Sequence, residues 1–274
     1  MRKQLYSIPT ACIRLTCLFA MLFGMWIEST VRPLRTMHER ACWSQKWALR
    51  ILRFLRCPVQ MRGALPSRGL IAANHISYTD VLVLAALTPT IFVAKAEVRR
   101  WPLIGLLCER AGVLFLDRSS MRAAAAANRT IAEVLRGGQS VVVFPEGTTS
   151  GGETILPMYA ALFQSALDSD EPIVPAWITY GDAAQRERIA YWGDMTLMPH
   201  LLQLMRLRSM DDVSVQFRTT GIPARHRTQA AEMCRVVWQQ MMEKRVRPTT
   251  GDCDDAAPTA PLQSTSPALL SLSQ

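Results

Sequence analysis

An α/β domain with a mainly parallel central sheet flanked by helices, preceded by an N-terminal membrane-associating helical segment, is predicted by three features of the 274-residue sequence. Short apolar runs alternate with helical patterns from residue 57 to residue 247, as expected for helices packed on a mainly parallel sheet. An apolar stretch followed by a basic, tryptophan-bearing stretch fills residues 1–56. From residue 248 the composition shifts to Pro, Ser, Thr and Ala, which reads as a disordered tail. The domains expected are therefore 1–56, 57–247 and 248–274.

The N-terminal segment holds most of the charge. Ten Arg and Lys face only Glu28 and Glu39 in residues 1–56, nearly the whole of the net +9. A nucleic-acid enzyme spreads its basic residues over the main domain, so an anionic membrane surface is the better partner and no nucleic acid is expected. The uninterrupted apolar run, residues 15–27, is 13 residues long. A simple span needs about 20, so this run is short unless Arg14 snorkels. A small-x-small cleavage site is missing from "GMWIEST", which favours a retained membrane segment over a cleaved signal. In "MHERACWSQKWALRILRFLRC", Trp43, Trp47, Ile51 and Leu55 recur every four residues among basic side chains. Such a basic amphipathic helix suits a bilayer interface; the alternative is a helix whose tryptophans pack on the domain.

In the central region, "GLIAAN", "IFVAK", "GVLFLD", "SVVVFP", "PIVPAWI" and "VSVQF" read as strands. "DVLVLAAL", "PLIGLLCERA", "SMRAAAAANRTIAEVLRGG", "MYAALFQSALD" and "TQAAEMCRVVWQQMMEKRV" read as helices. The seven cysteines lack CxxC spacing and are odd in number, which argues against a zinc site and a disulfide framework.

Two stretches carry chemistry. In "NHISYTDV", His75 follows a strand and Asp80 falls in the first turns of a helix. That junction lies at the carboxyl edge of the sheet, where α/β proteins place their sites. A histidine acts as a general base when a carboxylate holds its other ring nitrogen. In "SVVVFPEGTTSGG", a buried strand ends in a loop where Gly147 permits close backbone approach and Thr148, Thr149 and Ser150 offer hydroxyls. Glu146 repels phosphate and better accepts a hydrogen bond from a substrate hydroxyl. Read singly, each stretch also fits an ordinary capping histidine or a strand-ending turn.

Together, "NHISYTD" and "FPEGTTS", about 70 residues apart, resemble the glycerolipid acyltransferases, with the bacterial 1-acyl-sn-glycerol-3-phosphate acyltransferases as the nearest large group. "VAKAEVRRWPLIG", "AGVLFLDRSS" and "IVPAWI" resemble further blocks of that family. The resemblance implies that His75 takes the proton of a lysolipid hydroxyl as it attacks an acyl thioester, with Asp80 orienting His75. It implies that Glu146, Gly147, Thr148 and Thr149 hold the acceptor, and that Lys95 and Arg118 face anionic groups. No metal or cofactor is implied; acyl-CoA or acyl carrier protein serves as co-substrate, and membrane lipids are the partners. The implied location is the bacterial inner membrane, with the catalytic domain facing the cytoplasm.

The main functional expectation is thus a membrane-associated O-acyltransferase of phosphatidate biosynthesis. Many lysophosphatidate-acylating members of the family carry Arg where this chain has Thr149, and that Arg offers a phosphomonoester a bidentate partner. The alternative acceptor is therefore lyso-ornithine lipid or another non-phosphatidate lysolipid. A hydrolase would need a nucleophile elbow, and no GxSxG is present. A non-catalytic lipid-binding protein is the rival from another class; it has no need of both His75 and Asp80.

Overall fold

The computed structural model describes residues 5–117 and 120–246. The expected tail, 248–274, lies outside the described residues. The chain opens with helices α1 (Ile8–Val31) and α2 (Met37–Leu55), then β1 (Val59–Arg62), β2 (Leu70–Ala73), α3 (Thr79–Leu87) and β3 (Thr90–Lys95). It continues through α4 (Ile104–Arg110), β4 (Leu114–Leu116), α5 (Met121–Arg136), β5 (Ser140–Val143) and α6 (Gln164–Ser169). The last elements are β6 (Ile173–Tyr180), α7 (Ala183–Ile189), α8 (Leu197–Arg206), β7 (Val213–Phe217) and α9 (Arg227–Val246).

Among the described residues the strands form one seven-stranded sheet in the order β1-β7-β6-β2-β5-β3-β4. Every pair is parallel except β6 with β7. The mainly parallel α/β sheet expected from the alternation is present. Residues of β2 and β5 are buried throughout, because a parallel strand covered on both faces has no solvent side. One hydrophobic cluster draws on α1, α2, α3 and α8, and a second on α5, α6 and α9.

Three elements escape the sequence reading. Strand β1, "VQMR", is mostly exposed and shows no alternation. Helix α7 is short and mostly polar, whereas α8 carries an apolar face with His200, Leu204 and Met205 buried that the reading of the sequence passed over.

The N-terminal helices depart from expectation in two ways. Helix α1 spans 24 residues, about 36 Å at 1.5 Å per residue, so it exceeds the 13-residue apolar run and is long and apolar enough to cross a membrane. Arg14 does not snorkel. Its guanidinium donates to the Met205 carbonyl at 2.7 Å and the Leu207 carbonyl at 2.5 Å, tying α1 to the C-terminal end of α8. Ala11, Leu18 and Met25 face the protein, whereas Ile13, Phe19, Phe23 and Ile27 are exposed.

The second departure is a correction. Trp43, Trp47, Ile51 and Leu55 of α2 are buried inside the protein, so this stripe does not face a bilayer. Helix α2 begins in a capping box of Thr36 and Glu39 and packs against α3. Its basic residues serve the same docking: Glu28 of α1 accepts from Lys46 at 2.5 Å and from the Trp47 indole at 3.0 Å. A basic amphipathic pattern is common to interfacial helices and to core-packed ones, and it does not distinguish them.

Beyond Ala73, the β2–β6 pairing is continued by a side chain. Asn74 Nδ2 donates to the Ile178 carbonyl at 3.1 Å, and the Ile178 N–H donates to Asn74 Oδ1 at 2.6 Å. Asn74→Ala leaves both backbone groups buried and unpaired, and is expected to lower unfolding free energy by about 2–4 kcal/mol. Urea denaturation in detergent, followed by circular dichroism, checks this; an unchanged midpoint would show that the amide is not structural.

Candidate active site

The carboxyl ends of four neighbouring parallel strands, β6, β2, β5 and β3, lie along one edge of the sheet. His75 follows β2, Phe144 and Glu146 follow β5, Tyr180 closes β6 and Lys95 closes β3.

His75 and Asp80 are brought together. His75 Nδ1 lies 2.8 Å from Asp80 Oδ2. Five residues do not align along a straight helix, but here the turn between β2 and α3 bends the chain back. Asp80 stands in the first turn of α3, where the helix dipole favours a negative charge. Its Oδ2 also accepts from the N–H groups of Ile76 at 2.6 Å and Ser77 at 2.9 Å. Its Oδ1 accepts from the Tyr180 hydroxyl at 2.5 Å. The aspartate is fully buried, while the His75 side chain keeps 19% of its surface exposed.

The imidazole plane is set from a second side. It stacks on Phe144 with ring centroids 3.9 Å apart and planes 15° from parallel. With Nδ1–H committed to a carboxylate, the lone pair sits on Nε2. A histidine held this way can accept a proton, and its imidazolium is stabilised by the buried carboxylate.

The loop after β5 is tied to the same histidine. Gly147 has φ +67°, a conformation that favours glycine, and its N–H donates to the Phe144 carbonyl at 2.9 Å. Ser150 N–H donates to the His75 carbonyl at 2.9 Å. Thr148 is exposed and Thr149 half-buried, so hydroxyls are presented at the rim. Arg186 of α7 braces the far side of the loop, donating to the Gly151 carbonyl at 3.1 Å and to Glu153 at 2.9 Å.

Glu146 lies deeper than the other loop residues, with 4% exposure. Burial foremost pushes its carboxyl up to about 8; a hydrogen bond from the Leu156 backbone opposes this and nearby Asp80 adds to it. Its Oε2 has no hydrogen-bond partner among the described residues. Lys95 is exposed at the end of β3. Arg118 lies outside the described residues. Phe144 and Tyr180 were not singled out by the sequence reading. Phe144 is adjacent to "PEG" and offered a local signal; Tyr180, 100 residues from Asp80, offered none.

Residues 58–179 match the protein family described as Acyltransferase. A lyso-ornithine lipid O-acyltransferase of Pseudomonas aeruginosa is 38% identical over 178 residues, which are 64% of this chain and 67% of that protein. The chain belongs to the acyltransferase family. It is an acyltransferase enzyme and a lysolipid O-acyltransferase, as the motifs led one to expect. A lyso-ornithine lipid O-acyltransferase of Rhizobium meliloti aligns with the acyltransferase at 30% identity over 90% of this chain and 87% of its own. A 1-acyl-sn-glycerol-3-phosphate acyltransferase of Neisseria gonorrhoeae is 36% identical over 53% of this chain; the alignment spans 57% of that relative. The crystal structure of the 1-acyl-sn-glycerophosphate acyltransferase from Thermotoga maritima shares the fold, with a TM-score of 0.58 at 18% identity over 89% of this chain and 98% of its own.

The raised Glu146 carboxyl has a consequence for stability. The folded acyltransferase holds this proton between the ordinary carboxyl value of 4.5 and about 8, whereas the unfolded chain does not. Stability from this group is therefore present below that window and is lost as pH rises through it. Unfolding free energy is expected to fall by a few kcal/mol between about pH 5 and pH 9, and Glu146→Gln is expected to flatten that slope. Denaturation curves at several pH values decide; equal slopes for both proteins would mean the carboxyl is already ionised.

Proposed function

We propose that this acyltransferase moves a fatty acyl group from acyl-CoA or acyl carrier protein to the hydroxyl of lyso-ornithine lipid, with His75 as general base. The observation that carries the chemistry is the His75–Asp80 pair, closed at 2.8 Å at the sheet edge. His75 Nε2 takes the hydroxyl proton as the oxygen attacks the thioester carbonyl. Asp80 holds Nδ1–H and stabilises the imidazolium. Collapse of the tetrahedral intermediate breaks the carbon–sulfur bond, and His75 returns the proton to the departing thiolate. Gly147, Thr148 and Thr149 bind the acceptor beside His75, with the Glu146 carboxyl beneath the loop. Lys95 and Arg118 meet anionic groups of the donor or acceptor.

The acceptor class is supported by two observations. The relative that aligns over most of the chain acts, by its name, on lyso-ornithine lipid, and the loop carries Thr149 in place of a bidentate arginine. Lysophosphatidate, the acceptor in the main expectation, has the support of the shorter match to the Neisseria relative. Helix α1, with its exposed Ile13, Phe19, Phe23 and Ile27, provides the lipid contact. It holds residues 57–247, the acyltransferase domain, on the cytoplasmic face of a bacterial inner membrane, where both thioester donors are found.

Purified protein assayed with a panel of lysolipids and both donors tests this reading. Efficient transfer to lyso-ornithine lipid is expected, and His75→Ala is expected to lose about 10²–10⁴ of the rate. Asp80→Asn misorients the base rather than deleting it, so its loss is smaller. A folded His75→Ala protein with wild-type turnover would remove His75 from the chemistry. For the acceptor, Thr149→Arg is expected to raise the efficiency on lysophosphatidate relative to lyso-ornithine lipid by about one to two powers of ten. A wild type already efficient on lysophosphatidate and unimproved by arginine would make phosphatidate synthesis the better reading.

A further inference from the structure

We propose that Tyr180 is a positioning residue for acyl transfer, holding the Asp80 carboxylate through its hydroxyl so that the other carboxylate oxygen is presented to His75. The proposal rests on the reading of His75 as the base.

Three observations carry it. The Tyr180 hydroxyl and Asp80 Oδ1 are 2.5 Å apart, and both residues are fully buried. An ionised carboxylate only accepts, so Tyr180 donates, and charge-assisted bonds of this kind are the short ones. Having spent its proton on Asp80, the Tyr180 oxygen accepts from Thr79 Oγ1 at 2.9 Å. The result is a one-way relay from Thr79 to Tyr180 to Asp80. The third observation is the division of labour at the carboxylate. Oδ2 takes His75 and the backbone of Ile76 and Ser77. Tyr180 is the hydrogen-bond donor found at Oδ1 among the described residues. Tyr180 stands on β6 and Asp80 on α3, so the bond also fixes the turn after β2 against the neighbouring strand.

The consequence lies in how strongly His75 holds a proton. A donor at Oδ1 withdraws charge from the carboxylate and moderates its pull on the imidazolium. Burial foremost, and then Asp80 itself, raises the Tyr180 hydroxyl well above its ordinary value, so it remains a donor throughout the working range. Two other titratable groups act on this network: the Glu146 carboxyl, pushed up to about 8, adds negative charge beside Asp80 only as pH rises through that value, and the Cys57 thiol, pushed up to about 12 by burial, interacts electrostatically with Tyr180. Glu146 titrates in the assay range, so a pH–rate profile alone does not isolate His75.

The test pairs two readouts on the full-length protein. Tyr180→Phe keeps the ring and deletes only the hydroxyl. Its kcat/KM–pH profile is expected to move upward by about half to one unit on the acid limb, a three- to tenfold loss there, with a plateau loss of about two- to threefold. NMR titration of labelled histidine follows His75 directly among the four histidines, assigned by its absence in His75→Ala, and is expected to move the same way. A superimposable profile, or a pH-independent loss with His75 titrating as in wild type, would overturn the proposal. If Tyr180→Phe does not fold, Thr79→Val decides: it weakens the relay without touching Asp80 and is expected to shift both readouts upward by a smaller amount, while no shift overturns. Retained activity in His75→Ala would instead bring down the base reading itself, and this proposal with it.

Discussion

A negative charge placed in the interior of a protein must be surrounded by donors, and the carboxylate of Asp80 shows how this chain meets that demand. Unpaired, such a group would neutralise or unfold its surroundings. Here the turn between β2 and α3 supplies the backbone N–H groups of Ile76 and Ser77, β6 supplies Tyr180, and the remaining donor is His75. The turn after β2, the start of α3 and the distant strand β6 are thereby pinned to one carboxylate. The histidine is oriented because it completes the shell of a buried anion, and Phe144 then fixes its ring plane.

The same sheet edge sets two carboxyl groups in opposite surroundings. Asp80 is saturated with donors. Glu146 accepts from the Leu156 backbone and has an oxygen without a partner among the described residues. Burial disfavours the ionised form, and it pushes the Glu146 carboxyl up to about 8. A neutral Glu146 does not repel an anionic neighbour and has a proton to donate, which a carboxylate lacks. That changes the role open to this residue from pure acceptor to donor as well.

The N-terminal helices are joined to the catalytic domain, not appended to it. Arg14 is spent on carbonyls of α8 and Glu28 on Lys46 and Trp47 of α2. Arg14, Arg40, Lys46 and Arg50, which looked free for a lipid surface, are occupied within the protein. The apolar outer face of α1 is exposed, as are Arg32, Arg35, Arg53 and Arg56, beside a domain that acylates a lysolipid. On the proposed function, a docked α1 would hold the domain in a defined orientation to the bilayer, which a flexible tether does not.

Local chemistry was legible in the sequence. The alternation of apolar runs determined the strands and most helices of a mainly parallel sheet, because a strand buried on both faces must be apolar along its length. His75 and Asp80 lie within a few residues of each other, so one turn suffices to join them. Strand β1 and helix α7 gave no such signal, since an exposed edge and a seven-residue polar helix lack a period; α8 does carry an apolar face, interrupted by Pro199 in its first turn. The stripe of Trp43, Trp47, Ile51 and Leu55 determined that α2 buries a face but not what covers it; only tertiary packing decided for protein over bilayer. The tie of Asn74 to Ile178, the Tyr180 bond to Asp80 and the neutrality of Glu146 each depend on a partner or an enclosure brought in from far along the chain. Periodicity records which side of an element is buried, and the folded sheet alone decides which groups meet there.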